Sequence, residues 1–133
     1  LDGRSELARD LTRQWRLRFN SRWPAVVGST RVSNLMTFYS PDHPTPLAPE
    51  EPPSGLMTAA DAQRTGFIGI CDAGGPFYRQ CDAWMKANAT RGERVIITTR
   101  RFFNGKPGPA VNWEIHFVPP QTASAVAPGV PQR

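Results

Sequence analysis

Apolar side chains recur at every fourth position near the start of the chain. The four that share this spacing are Leu7, Leu11, Trp15 and Phe19. The spacing predicts an amphipathic helix from about Ser5 to Asn20, with these side chains on its buried stripe. Ser5 is a candidate N-cap, and Pro24 prevents the helix from continuing. Three arginines fall off the stripe and are expected to face solvent: Arg9, Arg13 and Arg16.

Two shorter segments follow this helix. The run "AVVGS", Ala25–Ser29, contains β-branched residues and ends near a glycine, which indicates a buried strand. In "VSNLMTFYS" a short helix capped by Ser33 or Asn34 competes with an edge strand, and we favour the helix. The side chains expected on its inward side are Leu35, Met36 and Tyr39.

The passage 41–55 is rich in proline. Six prolines occur from Pro41 to Pro53, and proline neither donates a ladder hydrogen bond nor fits a helix interior. We therefore predict a surface loop here, neither a helix nor a central strand. Asp42 and His43 lie within it, but neighbouring residues of an extended chain point in opposite directions. We do not expect these two residues to form a catalytic dyad by themselves.

The middle of the chain carries a helix, a strand and a second helix. Thr58 and Asp61 have the spacing of a capping box, which predicts a short helix ending at Gly66. The apolar run "GFIGIC" indicates a buried strand, and residues from about Phe77 to Asn88 form the next helix. The side chains on one side of that helix are Tyr78, Cys81, Trp84 and Met85. "DAGGP", between them, lacks the glycine spacing and the lysine of phosphate-binding loops, so a tight turn is favoured.

A hairpin signal ends the predicted core. The strand-like segments "ERVIITTRRFF" and "PAVNWEIHFV" are separated by Asn104-Gly105, a dipeptide that tolerates positive φ. One face of the second strand carries Val111, Trp113, Ile115 and Phe117. The other face carries Asn112, Glu114 and His116. We interpret His116 as an exposed or hydrogen-bonded residue, not as a ligand.

These elements predict an α/β fold. A small layered sheet would contain parallel strands with helical crossovers, plus a C-terminal antiparallel hairpin at one edge. We assign residues 5–120 to a single domain with a Pro-rich surface loop at 41–55. Residues 121–133 form a Pro/Ala-rich tail in which we predict no core element.

The charge of the chain is strongly basic. Its 133 residues have a net charge of +5, with fourteen arginines against two lysines, and six of the arginines precede position 23. A basic face suits nucleic acid or anionic lipid headgroups, and a solvated helix face is the alternative. No run approaches the roughly 18–20 apolar residues of a membrane span, and none has the pattern of a signal peptide. Because the chain begins at Leu1, not Met, we expect an excised piece or a processed product.

The only two cysteines are Cys71 and Cys81. Their spacing fits no common zinc or redox motif, which leaves a disulfide or two unrelated buried thiols, according to the compartment. A glycine-proline turn separates the end of a strand from the start of a helix here. Such a turn can bring the two Cα atoms within the roughly 4.4–6.8 Å that a disulfide needs. We therefore predict a Cys71–Cys81 disulfide.

Several motifs, in order, resemble those of bacterial membrane glycosyltransferases. The segment "ELARDLTRQWRLRFNSRWPAVVGSTRVSNLMTFYSPDHP" is similar to one that follows the last transmembrane helix in glycosyltransferase family 39, which is related to protein mannosyltransferases and to the aminoarabinose transferase of lipid A. The "FYSPDHP" block, Phe38–Pro44, is the most distinctive piece. The other matching pieces are the helix with Leu11, Thr12 and Trp15 followed by Phe19, the "VVGS" strand with Gly28, the helix ending at Gly66, and the "C-x-A-W" element Cys81–Trp84.

This resemblance implies a place and a role for the chain. In the family, a polyprenyl-phosphate-linked sugar is the donor, and transfer occurs at the outer face of the membrane. The chain would be the soluble C-terminal domain on the periplasmic side of the bacterial inner membrane, with the transmembrane part of the same polypeptide as its partner. The family's general base lies in a loop near the start of the enzyme, so the resemblance carries no catalytic residue and no cofactor onto this chain.

Two sets of residues would then face the chemistry. The arginines of the first helix would face the membrane surface or the donor phosphate: Arg9, Arg13 and Arg16. A possible acceptor-side loop would contain Tyr39, Asp42 and His43. We expect no metal site, and no sugar transfer by the isolated domain.

The alternative is a stand-alone basic α/β module that binds phosphate-containing ligands or nucleic acid. Nucleic acid is not expected. The tryptophans Trp15, Trp84 and Trp113 fall on apolar faces, whereas a stacking platform would interleave them with arginines.

Overall fold

The computed structural model describes residues 3–52, 56–103 and 105–121. They form four helices and five strands. In chain order these are α1 (Arg4–Phe19), β1 (Ala25–Gly28), α2 (Thr30–Tyr39), β2 (Thr45–Leu47), α3 (Ala59–Thr65), β3 (Phe67–Asp72), α4 (Tyr78–Asn88), β4 (Glu93–Phe103) and β5 (Lys106–Val118). None of the described helices has both the length and the apolar composition needed to cross a bilayer.

The five strands form one mixed sheet in the order β2-β1-β3-β5-β4. β1 is parallel to both β2 and β3, and α2 and α3 provide the crossovers between these strands. β5 is antiparallel to β3 on one side and to β4 on the other. The predicted α/β class, with parallel strands, helical crossovers and a C-terminal antiparallel hairpin, is therefore confirmed.

Helices cover both faces of this sheet. The first core, beneath α1 and α2, contains Leu7, Leu11, Trp15, Trp23, Val26, Met36, Ile68, Ile70, Trp113, Ile115 and Phe117 among its buried residues. The second core, beneath α3 and α4, contains Ala25, Val27, Met57, Ala62, Phe67, Cys71, Cys81, Met85, Ala89 and Val118. Successive strand residues point to opposite faces, so one strand contributes to both cores. Of the predicted α1 stripe, Leu7, Leu11 and Trp15 are buried, and Phe19 is partly buried against the same core.

The helix boundaries differ from the sequence prediction at two N-termini. α1 begins after Gly3, whose φ is 81°, and Ser5 makes no capping bond because it is already inside the helix. α2 begins after Ser29, one turn earlier than predicted. Ser33 does not cap it, because the Ser33 hydroxyl donates to the Ser29 carbonyl oxygen at 3.0 Å, within the first turn. By contrast, the predicted capping box is present at Thr58.

The inward side of α2 was only partly predicted. Met36 is fully buried, but Leu35 is half-buried and Tyr39 is 42% exposed. The earlier start of the helix makes Val32 and Ser33 buried positions instead. Tyr39 therefore lies at the end of the helix, beside the ring of Phe38, and outside the core.

The Pro-rich passage contains a strand that the sequence analysis missed. Thr45–Leu47 pairs in parallel with Ala25–Val27 at the edge of the sheet. Pro46 is tolerated there because an edge strand can turn one row of N–H positions to solvent. Residues 53–55 of this passage, Asn104 of the hairpin and residues 122–133 of the tail lie outside the described residues. Gly105 has the positive φ, 77°, that the predicted turn needs.

Candidate functional site

The chain turns between α2 and β2 through the corner, residues 40–44, which contains most of the "FYSPDHP" block. Its central carboxylate, Asp42, is only 5% exposed. It accepts hydrogen bonds from Arg16 Nε at 3.2 Å, from Arg16 Nη2, and from the backbone N–H of Trp23 at 2.9 Å. The corner is thereby joined to α1 and to the segment that leads into β1.

The charge state of Asp42 follows from these bonds. Burial alone would raise its pKa, but the hydrogen bonds from Arg16 and the Trp23 amide outweigh this and hold the pKa below its usual value. The same hydrogen bond raises the pKa of Arg16. Asp42 is therefore an ionised structural residue at neutral pH, and both of its carboxylate oxygens already accept hydrogen bonds.

His43 points away from Asp42. It has a left-handed φ of 47°, and its exposed ring places Nδ1 2.8 Å from the carbonyl oxygen of Thr37. Ser40 stabilises the corner from its buried side. The Ser40 side chain is fully buried, and its hydroxyl lies 2.7 Å from that of Thr12 and accepts the Asp42 N–H at 3.1 Å. Asp42 and His43 thus form no dyad.

The three predicted arginines lie along a shallow groove between α1 and the corner. All three are exposed, as predicted, and they line this α1–corner groove, of about 410 Å³, together with Leu17 and Pro41. Their partners differ. Arg13 pairs with Asp10 and Arg16 with Asp42, whereas Arg9 forms no ion pair or hydrogen bond with any described residue.

A second opening, of about 410 Å³, lies at the carboxyl ends of β1 and β3. We call it the edge crevice. One wall is the start of α2, including Thr30 and Val32, and the other is the segment from Asp72 to Tyr78. Glu50 reaches the start of α2, where its carboxylate accepts the Thr30 N–H at 2.8 Å. It thereby satisfies one of the unpaired backbone donors of that helix.

The predicted disulfide is present beside this crevice. Cys71 and Cys81 are bonded, with a Cα–Cα distance of 5.7 Å. The bond joins the end of β3 to the first turn of α4, and Cys81 lines the edge crevice.

A buried polar cluster lies beneath α4. Glu114 is 3% exposed, accepts the Tyr78 hydroxyl at 2.8 Å, and lies 3.3 Å from Arg94 Nη2 and 2.8 Å from His116 Nε2. Burial alone would raise the pKa of Glu114, but the bonds from His116, Tyr78 and Arg94 lower it below its usual value. The bond to Glu114 in turn raises the pKa of Tyr78.

The sequence pattern does not predict this cluster. It places Glu114 and His116 on the polar face of a hairpin strand, and the interpretation of His116 as hydrogen-bonded is confirmed. The missed fact was burial: β5 is the inner strand of the edge hairpin, between β3 and β4, and its polar face is covered on the α4 side of the sheet. Within the described ranges, no group of three or more His, Cys, Asp or Glu side chains could hold a metal ion.

Comparison of the chain with models of known protein families, with curated proteins and with solved structures gave no match.

Proposed function

We propose that this chain is the non-catalytic soluble domain of a polytopic membrane glycosyltransferase that uses a polyprenyl-phosphate sugar donor. The observation that carries the proposal is the contact between Asp42 and Arg16. It joins the "FYSPDHP" block to the arginine-bearing helix, the two pieces on which the resemblance to family 39 mainly depends. These motifs thus form one structural unit within the domain.

The disulfide supports a periplasmic location. Disulfides persist in oxidising compartments such as the bacterial periplasm and are rare in the cytosol. The Cys71–Cys81 bond is built into the junction of β3 and α4.

The hydrogen bonds that the buried carboxylates already accept support a non-catalytic role for the domain. A general base must reach the proton that it removes. Asp42 is bound by Arg16 and the Trp23 amide, and Glu114 by three side chains beneath α4. Neither carboxylate lines any of the openings described above. The domain would therefore support donor or acceptor access without taking part in the chemistry.

The α1–corner groove supports a position against the bilayer or the donor phosphate. It combines three exposed arginines with Leu17, which is 74% exposed. Each basic residue near an anionic surface contributes about 1 kcal/mol, and the attraction fades within a Debye length. Because Arg13 and Arg16 already pair with carboxylates, Arg9 carries the largest uncompensated charge of the three.

The alternative of a stand-alone nucleic-acid module has less support. Trp15, Trp23 and Trp113 are at most 2% exposed and belong to the first core, and Trp84 is partly buried beside Phe67 of the second core, so the tryptophans form no exposed stacking platform for bases.

Vesicle co-sedimentation tests whether the α1–corner groove faces the membrane surface. The domain should bind vesicles of phosphatidylglycerol and phosphatidylcholine, bind phosphatidylcholine alone much less, and dissociate at high salt. Arg9→Gln/Arg13→Gln should weaken this binding. Arg16 is left unchanged, because its removal would leave the buried Asp42 carboxylate without its ion-pair partner.

The matched control is Arg64→Gln/Arg79→Gln. Arg64 pairs with Asp61 three residues away, as Arg13 does with Asp10, and Arg79 is an exposed arginine of α4. The control should bind like the unmodified domain. Equal loss in both double variants would contradict a specific α1–corner contact.

Two further measurements test the proposal that the chain is a non-catalytic domain of a membrane glycosyltransferase. The reading frame upstream of the Leu1 codon should encode several hydrophobic spans. The isolated domain should give no turnover with a polyprenyl-phosphate sugar, and measurable turnover would overturn the non-catalytic assignment.

A further inference from the structure

The edge crevice lies where the chain leaves two neighbouring parallel strands in opposite directions. From β1 the chain passes through α2 to β2 on one side, and from β3 it passes through α4 towards the hairpin on the other. The two connections separate above the sheet and leave an opening at the carboxyl ends of the strands. In open α/β sheets, ligands bind at such a switch point.

The charges in this crevice disfavour a phosphate. Anions often bind at the N-terminus of a helix in this position, because its N–H groups are unpaired there. Here Glu50 already accepts the Thr30 N–H at 2.8 Å, and the Thr30 hydroxyl lies 3.0 Å from the Glu51 carboxylate. In total, three carboxylates and two arginines line the crevice: Glu50, Glu51, Asp72, Arg4 and Arg31.

The remaining lining suits a ring with one apolar face. Val32, Ile70 and Cys81 give the crevice apolar surface deep between the two walls, and all three are buried. Phe77, at the start of α4, stays 42% exposed although it is a large aromatic side chain. Beside it, the ring of Tyr78 is held in place by the bond from its hydroxyl to Glu114. A rigid aromatic side chain offers contact area with little loss of conformational entropy.

Asp72, on the same wall of the crevice, supplies hydrogen-bond acceptors beside this aromatic surface. One of its oxygens accepts the Gly74 N–H at 3.0 Å, which fixes the carboxylate at the end of β3. An ionised carboxylate has about four lone-pair sites and accepts only, so it selects ligand groups that donate. Hydroxyl groups are such donors.

We propose that the edge crevice binds an uncharged pyranose ring of a carbohydrate. The C–H face of the sugar packs on Phe77, and its hydroxyl groups donate to Asp72 and Glu51. A mainly apolar concave site with a few placed polar groups is the usual form of a small-ligand site. The inference deepens the function proposed above, on which it rests for its biological setting, because a sugar acceptor or product would be a natural occupant.

Backbone amide shifts in NMR titrations test the proposal directly. The probes are millimolar methyl pyranosides of glucose, mannose and galactose, with inorganic phosphate as the contrasting anion. We expect at least one pyranoside to shift the amides of residues 29–31 and 72–78, and phosphate to leave them unchanged. Phe77→Ala should weaken that binding by about tenfold. Asp72→Asn, whose amide oxygen can still accept the Gly74 N–H, should weaken it as well.

Phe38→Ala is the matched control, because Phe38 is also a large exposed aromatic but lies outside the crevice. Pyranoside binding by Phe38→Ala should equal that of the unmodified domain. Thermal melts should show that Phe77→Ala, Asp72→Asn and Phe38→Ala all fold. The proposal is overturned if no pyranoside shifts the crevice amides, if phosphate shifts them, or if folded Phe77→Ala binds like the unmodified domain. These outcomes do not depend on membrane attachment, so a failure here leaves the upstream-span and vesicle tests of the proposed function intact.

Discussion

The two faces of the sheet are closed by different means. The α1/α2 face is filled by large apolar side chains, and Trp15, Trp23 and Met36 are completely buried there. The α3/α4 face has smaller side chains, a disulfide and the buried Glu114 cluster. At Gly69 of β3, a Cβ would collide with the end of the Met85 side chain, so this side chain of α4 occupies the space above the glycine.

The difference shows how a small domain stabilises a face of its sheet that buries fewer large apolar side chains. Burial of large apolar side chains stabilises the α1/α2 face, because each contributes about 1.5–3 kcal/mol when fully buried. α4 buries fewer such groups, so a covalent bond and a polar cluster hold it to the sheet. The following predictions test this contrast, from the largest expected effect to the smallest.

Trp15→Ala should lower the free energy of unfolding by about 3–5 kcal/mol, the usual loss for a large aromatic removed from a core. The matched substitution on the other face is Trp84→Ala. Trp84 is only partly buried, with its ring centroid 5.4 Å from that of Phe67, so the loss should be clearly smaller. Urea denaturation measures both, and equal losses would contradict the contrast between the two faces.

Reduction of the Cys71–Cys81 bond should lower the free energy of unfolding by about 2–4 kcal/mol. Denaturation with and without dithiothreitol gives this value. A Cys71→Ala/Cys81→Ala variant controls for other effects of the reductant and should show no response to it. A domain equally stable in both conditions would mean that the apolar contacts of α4 suffice.

Asp42→Asn should cost about 2 kcal/mol, because the amide has one acceptor oxygen in place of two, so its NH2 group faces either Arg16 Nη2 or the two donors on the other oxygen, Arg16 Nε and the buried Trp23 N–H. Asp10→Asn is the control: its ion pair with Arg13 is exposed and should contribute less than about 1 kcal/mol.

Asp42→Asn should also change how the stability of the domain depends on pH. The pKa of Asp42 is lower in the folded than in the unfolded state, so its contribution is present above the unfolded value of about 3.9 and is lost as pH falls through the folded pKa. Below about pH 4 the unmodified domain should therefore lose stability more steeply than Asp42→Asn. Parallel acid profiles would show that Asp42 is not the group responsible.

Glu114→Gln should cost only about 1 kcal/mol. Arg94 is half-exposed and can turn to water when the charge is removed, which the buried Trp23 amide beside Asp42 cannot do. The pKa of Tyr78, which Glu114 raises, should fall towards its ordinary value. Ultraviolet titration in a Tyr39→Phe background isolates Tyr78, and an unchanged titration would contradict the assigned bond.

Local patterns predicted most of the secondary structure. The fourfold spacing of Leu7, Leu11 and Trp15 predicted α1, the Thr58–Asp61 capping box predicted α3, and the alternation around Trp113 predicted which face of β5 enters the first core. These features depend on residues within one or two turns or on strand periodicity. The disulfide was also predictable, because only ten positions and one tight turn separate its cysteines.

By itself, the sequence thus determined all the helices and strands except β2, the fold class and the exposure of Arg9, Arg13 and Arg16. The tertiary structure alone decided which polar residues meet: Asp42 with Arg16 across 26 positions, and Tyr78 with Glu114 across 36. It also decided that β5 is internal and that Thr45–Leu47 is a strand. The physical reason is that a hydrogen bond between residues distant in sequence, or the ladder of an edge strand, leaves no local periodicity, and its partners are set only when the elements pack.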